Sequence, residues 1–222
     1  MHPNFNSIIP ELRSMANPEN VAGMARFGIV GRQVLGITMV QLRALARKIG
    51  RDSVAAEKLW RTGFFEARLL AVFVAEPSKV TQRQANSWAK DFECWADCDG
   101  ACIHLFRKTP FAHDLADSWS HNRRELLKRA GFTMMATLAV HDKKAGNEAF
   151  RPYLARIWEE STDERHNVKK GVNWALRQIG KRNPVLNQQA ISLAHRIREQ
   201  DSRAARWIAA DALRELKRWK PK

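Results

Sequence analysis

No apolar run in the 222-residue sequence approaches the roughly 18 to 20 residues that a membrane-spanning helix needs. The N-terminus also lacks the basic-then-apolar pattern of a secretory signal, so a soluble protein of the cytoplasm is expected. Cysteine is scarce. Cys94, Cys98 and Cys102 are three in number and share one short segment, which argues against a secreted disulfide framework. They repeat every fourth residue, so on a helix they form a stripe. A structural zinc site instead gathers ligand pairs from separate turns, and the stripe reads as a buried face of small residues. The seven histidines form no HExxH, and there is no GxGxxG, Walker lysine or GxSxG. Metalloprotease, nucleotide-hydrolysing and serine-hydrolase chemistry therefore have no support, and neither a metal nor a cofactor is expected. Acid is in deficit too. The 23 Asp and Glu stand against 38 Lys and Arg, a net charge of +15. That excess is spread along the chain and points to a polyanion partner, with nucleic acid ahead of a membrane surface.

Strand-like alternation is likewise missing, and almost every segment has helical periodicity instead. Hydrophobic residues make up 45%, enough to bury a core. Two short helices are expected over Asn4–Met15 and Pro18–Phe27, followed by a loop over 28–36 that carries Gly28, Gly31 and Gly36. Thr38–Ile49 forms a helix closed by Gly50, Asp52 caps the next to near Gly63, and Phe64–Ala75 follows. Thr81 with Gln84 is a capping-box signature. After a central segment over Cys94–Phe106, helices are expected over Pro110–Trp119, Asn122–Val140 and Asn147–Glu160, the last irregular at Pro152. Asp163 caps Glu164–Ile179, Asn183-Pro184 opens a helix to about Gln200, and Ser202 opens the last. Apolar inner helices recur at Phe65–Val74, Arg129–Val140, Gly171–Ile179 and Ala205–Leu213. Their spacing of roughly 30 to 45 residues fits a HEAT or armadillo solenoid, with an irregular helical bundle as the alternative. The expected architecture is all-α, one HEAT-like repeat domain over 1–222, with a basic concave face.

The central stretch reads Asp-Phe-Glu-Cys-Trp-Ala-Asp-Cys-Asp-Gly-Ala-Cys over 91–102. Trp95 and Asp99 lie four apart and share a helical face, while Asp97 points elsewhere. Asp99 suits either of two tasks, a salt-bridge acceptor for arginine or an anion kept beside a cationic substrate. Arg129, Trp174 and Arg177 lie on inner-helix candidates, which would bring them to the same wall of a solenoid. On residues alone, these tryptophans as core and these arginines as partners of acids remain the plainer alternative.

Several motifs run in order along almost the whole chain. They are Met24-Ala-Arg-Phe27, Leu35-Gly-Ile37, Trp95-Ala-Asp-Cys-Asp99, Leu127-Lys-Arg129-Ala, and Val172-Asn-Trp174-Ala-Leu-Arg177 with Lys181 and Asn183-Pro184. On these the sequence resembles the AlkD-like DNA alkylation repair proteins, HEAT-repeat DNA glycosylases that release alkylated purines. The resemblance implies that Asp99 is the catalytic aspartate and that Trp95 and Trp174 flank the lesion's sugar and backbone. It places Arg129 beside them, with Arg177 and Lys181 among the DNA contacts. Family members often read Trp-Asp-x-Val-Asp in the central motif, whereas Ala96 and Cys98 stand here, with the spacing intact.

A purine methylated at N3 or N7 is cationic and leaves without an acid to protonate it. The sugar left behind is oxocarbenium-like, and one carboxylate can stabilise it and orient water. Ordinary glycosides, whose leaving group must be protonated, need two carboxylates instead. Indole faces attract cationic character, and lysines and arginines hold phosphates without reading sequence. Glycosylases usually extrude the base, and the resemblance implies attack on the sugar without full base flipping. The expected partner is double-stranded DNA carrying alkylated purines, met by a monomer that is nucleoid-associated when bound. A non-catalytic HEAT-repeat protein that binds damaged or branched DNA is the competing expectation.

Overall fold

The structure, a computed structural model, describes residues 5–30 and 33–221. Thirteen α-helices and three short 3-10 turns carry the described residues, and no strand is found among them. Asn4, the expected start of the first helix, and Gly31 of the glycine loop lie outside the described residues. The chain divides into two compact units, Met1–Pro110 and Phe111–Lys222.

The first unit holds α1 (Phe5–Ser14), α2 (Pro18–Arg26), α3 (Met39–Ile49), α4 (Ser53–Arg61), α5 (Phe65–Val74), α6 (Gln82–Ala89) and α7 (Trp95–His104). Its centre is α5, which packs against α3, α4 and α7. The sequence Phe-Glu-Ala-Arg-Leu-Leu-Ala-Val-Phe-Val is apolar nearly all round, the composition of a helix enclosed by others. Glu66 is one exception, fully buried on α5. Its carboxylate accepts from the backbone N–H groups of Leu35, Gly36 and Ile37 at 2.9, 2.7 and 3.3 Å, which anchors the glycine loop. Gly36 sits at φ +78°, and a Cβ there would fall 2.2 Å from the Asn17 carbonyl oxygen. Only glycine fits that turn. The indoles of Trp60 on α4 and Trp88 on α6 stack with centroids 4.2 Å apart, and their N–H groups donate to Asp91 and Glu57.

The second unit holds α8 (Ala112–Ser120), α9 (Glu125–His141), α10 (Arg151–Glu160), α11 (His166–Gly180), α12 (Pro184–Arg198) and α13 (Arg203–Leu216). Helix α9 is buried from Leu127 through Ala139 and packs between α8 and α11, while α11 also meets α12 and α13. Two glycines on α9 and α11 permit these approaches. A Cβ on Gly131 would lie 2.2 Å from the Ser120 amide nitrogen, and one on Gly171 would lie 3.2 Å from the Phe132 Cβ. The four inner-helix segments read from the sequence all fall in α5, α9, α11 and α13.

Helix starts are where sequence and structure differ most. Thr38 makes a full capping box with Gln41, whereas Thr81 supplies only the N-cap half, accepting from the Gln84 N–H. Asn183 and Ser202 cap as expected. Asp163 does not cap α11, because the helix begins at His166 with Arg165 as N-cap. The Asp163 carboxylate instead accepts from the Arg165 backbone and guanidinium and reaches Lys128 at 3.7 Å. Charge pairing across helices has taken the carboxylate that local spacing assigned to a cap. The expected Asn147–Glu160 helix is a 3-10 turn, Asn147–Phe150, followed by α10 with Pro152 in its first turn. Proline tolerated there explains the irregularity.

Candidate functional site

Helix α7 is built around one buried carboxylate. Cys94 is its extended N-cap residue, and Asp97 three residues on accepts from the backbone N–H groups of Glu93 and Cys94 at 2.9 and 3.2 Å, closing a capping box. Asp97 is 2% exposed. Burial pushes its carboxyl up to about 6, against the pull of the Glu93, Cys94 and Cys98 amides and of Arg68. The Arg68 guanidinium stands 3.9 Å away, donates to the Asp91 carbonyl at 2.8 Å and lies over the Trp60 ring. Asp97 is thereby committed to starting the helix, and its acidity is spent on backbone.

Trp95 and Asp99 occupy the next face. The Trp95 indole N–H donates to the Phe27 carbonyl at 2.8 Å, tying the start of α7 to the end of α2. Gly28, at φ +71°, lets the chain turn beside that ring; a Cβ there would sit 3.8 Å from the indole nitrogen. Asp99, one turn beyond Trp95, is 8% exposed. A Cβ on Gly100 would lie 2.7 Å from a Leu69 methyl, a close approach of α7 to α5. A groove of about 620 Å³ runs alongside, floored by Phe65 and Leu69 and rimmed by Met24, Phe27 and Trp95. Trp95, Ala96 and Gly100 of α7 line that groove, and a carboxylate one turn from an indole can stabilise cationic character brought against it. Cys94, Cys98 and Cys102 line the inner side of α7, all three buried. The small-residue stripe expected from their spacing is there.

The other sequence-predicted residues belong to the second unit. Arg129 on α9 is 8% exposed, and its guanidinium donates to the Asn167 carbonyl at 3.2 Å, reaching the first turn of α11. Trp174 is half-buried on α11, and its side chain makes no hydrogen bond or ring contact among the described residues. Arg177 and Lys181 are both engaged by Glu215 on α13, and Asp211 lies 3.7 Å from the Arg177 Nε. Burial raises the Glu215 carboxyl, but the Lys181 hydrogen bond and the Arg177 charge outweigh it and hold it low. These two cations already have anions. Arg129 and α11 are thus in direct contact, and Arg177 and Lys181 share one carboxylate.

Sequence reasoning passed over other charged residues. Glu215 lies 34 positions from Lys181 and 38 from Arg177, so no local spacing marks it, whereas Asp211 pairs with Arg214 three residues on as well as with the distant Arg177. Lys169 and Lys170 on α11 were also passed over; both ammonium groups lie over the Trp207 ring of α13, 37 or more positions away.

The geometry can be set beside known proteins. No curated protein matches the chain. One solved structure that matches is described as a new family of proteins related to the HEAT-like repeat DNA glycosylases with affinity for branched DNA structures. It is 18% identical, superposes with a TM-score of 0.80, and the match covers 99% of this chain and 98% of that one. At that identity the likeness shows the fold, an all-helical HEAT-like repeat architecture. The DNA alkylation repair enzyme family matches residues 8–216, nearly the entire sequence. By that match the chain belongs to the DNA alkylation repair enzyme family.

Proposed function

We propose that the protein is a DNA glycosylase that hydrolyses the N-glycosidic bond of cationic N3- or N7-alkylated purines in duplex DNA, with Asp99 as its catalytic carboxylate. One observation carries the reading. Of the two acids on α7, Asp97 caps the helix start, whereas Asp99 stands one turn from Trp95 on the same helical face, a placement that supports it as the carboxylate for chemistry. In the reaction the C1′–N bond breaks and its electron pair neutralises the departing base. Asp99 stabilises the positive sugar and holds the water whose oxygen bonds to C1′; the water gives up one proton to solvent, yielding a neutral abasic site. The base is already cationic, so no second acid is needed and none is assigned. Trp95 offers an indole face to the sugar. Trp174 and Arg129 act as DNA contacts of the second unit, and Arg177 and Lys181 contribute only where phosphate displaces Glu215.

The second reading is a non-catalytic protein that binds damaged or branched DNA, favoured by the description of the solved relative and by the ion-paired state of Arg177 and Lys181. Asp99→Asn separates the two, since it keeps shape and removes charge. Release of 7-methylguanine from methylated duplex DNA should fall about 10²-fold or more, the scale of losing one placed electrostatic stabiliser. Affinity for the same duplex should hold or rise, because an anion has left a phosphate-binding surface. Excision at the wild-type rate would return Asp99 to a structural role. Absence of any excision by the wild type would select the binding reading.

A further inference from the structure

We infer that Lys169 and Lys170, held against the indole of Trp207, form a ledge that binds the phosphodiester backbone of a DNA strand. The inference rests on the proposal that the protein acts on DNA and adds a contact surface that the sequence did not nominate. Helix α11 carries two sets of cations. At its C-terminal end Arg177 and Lys181 are ion-paired with Glu215, and Arg177 also with Asp211, which Arg214 shares. At its start Lys169 and Lys170 have no carboxylate within ion-pair distance among the described residues. Glu164 is an acid in electrostatic reach of Lys169. Its Oε1 is already taken by the Ser202 hydroxyl at 3.0 Å and the Ala204 N–H at 2.9 Å.

Trp207, half-buried on α13, supplies what the acids do not. The Lys169 Nζ stands 5.6 Å and the Lys170 Nζ 4.6 Å from its ring centroid. An aromatic face restrains an ammonium without neutralising it, so both lysines keep full charge for a partner while losing part of the rotamer freedom that binding would otherwise remove. Arg203, exposed and one turn before Trp207 on α13, extends the basic edge. The remaining cation nearby on α13, Arg206, is paired with Asp201 at 3.3 Å. Adjacent ordered ammonium groups with no base-reading side chain between them suit phosphate oxygens.

The test is anisotropy of a fluorescein-labelled undamaged duplex across a salt series. Lys169→Gln/Lys170→Gln should lower the slope of log affinity against log salt by about 1.8, two contacts at about 0.9 each. Lys181→Gln, whose charge Glu215 already balances, should move the slope by less than half as much. Trp207 is a positioning residue. Trp207→Ala should weaken binding severalfold while retaining most of the slope, and Trp207→Phe should restore the affinity. A double lysine variant with the wild-type slope, or Lys181→Gln moving it more than the pair, overturns the ledge. If the wild type binds and excises while the double variant is unchanged, the ledge alone falls. If the wild type shows no salt-dependent binding to DNA, the proposed function falls with it.

Discussion

Asp97 and Asp99 stand two positions apart on one helix, and the structure gives them opposite environments. Helical geometry alone separates their faces, so that much is legible in the sequence. What spacing cannot supply is Arg68, brought from α5, and the backbone amides that enclose Asp97. The same enclosure makes stability depend on pH. An acid whose carboxyl rises from 3.8 to about 6 on folding binds its proton more tightly in the native state. Its contribution is therefore present below the unfolded value and lost as pH rises through the folded one. Comparing urea midpoints of the wild type and Asp97→Asn, which cannot ionise, isolates this group. Between pH 4 and pH 7 the wild type should lose stability relative to the variant, by up to about 3 kcal/mol. A pH-independent difference would mean that the buried carboxyl keeps its ordinary acidity. Excision per folded molecule should change far less in Asp97→Asn than in Asp99→Asn.

At the scale of elements, the apolar periodicity that marked α5, α9, α11 and α13 was sufficient because each is enclosed by neighbours and its burial is written into its composition. Helix termini were less legible. Asp163 has the right spacing for a cap, yet its carboxylate is held by Arg165 two residues on and reached by Lys128 from α9. Long-range pairing likewise hid which acid engages Arg177 and Lys181, since Glu215 lies 34 or more positions away on α13; acid partners for the arginines were the plainer alternative in the sequence. The approach of α8 to α9 is a sharper case. Gly131 leaves no room for a methyl group against the Ser120 backbone, and backbone cannot swing aside as a flexible side chain can. Gly131→Ala should therefore destabilise the protein by about 1–3 kcal/mol or more through overpacking, despite alanine's better helix propensity. Gly23→Ala on α2, where a Cβ meets nothing within 4 Å, should instead gain about 0.5–1 kcal/mol. Chemical denaturation of the two variants, side by side, reads both signs.

Over the whole molecule the net charge of +15 is only partly available, since many cations are held by acids. Lys128 and Arg156 share Glu160, Arg165 holds Asp163, and Glu215 takes two more. Affinity for duplex DNA should fall steeply with salt and be indifferent to sequence, but with a slope set by the unpaired cations and not by the formal charge. Titrations of two unrelated duplex sequences over a salt series measure both properties, and a flat salt response would count against electrostatic binding. The buried stripe on α7 bears on a different hazard. Electrophiles that methylate purines also attack thiolates, which are the nucleophilic form of cysteine. All three cysteines are buried, and burial next to Asp97 pushes the Cys94 thiol up to about 11. Cys94 is thus held in its less reactive thiol form, and burial keeps Cys98 and Cys102 out of reach of the reagents that create alkylated DNA.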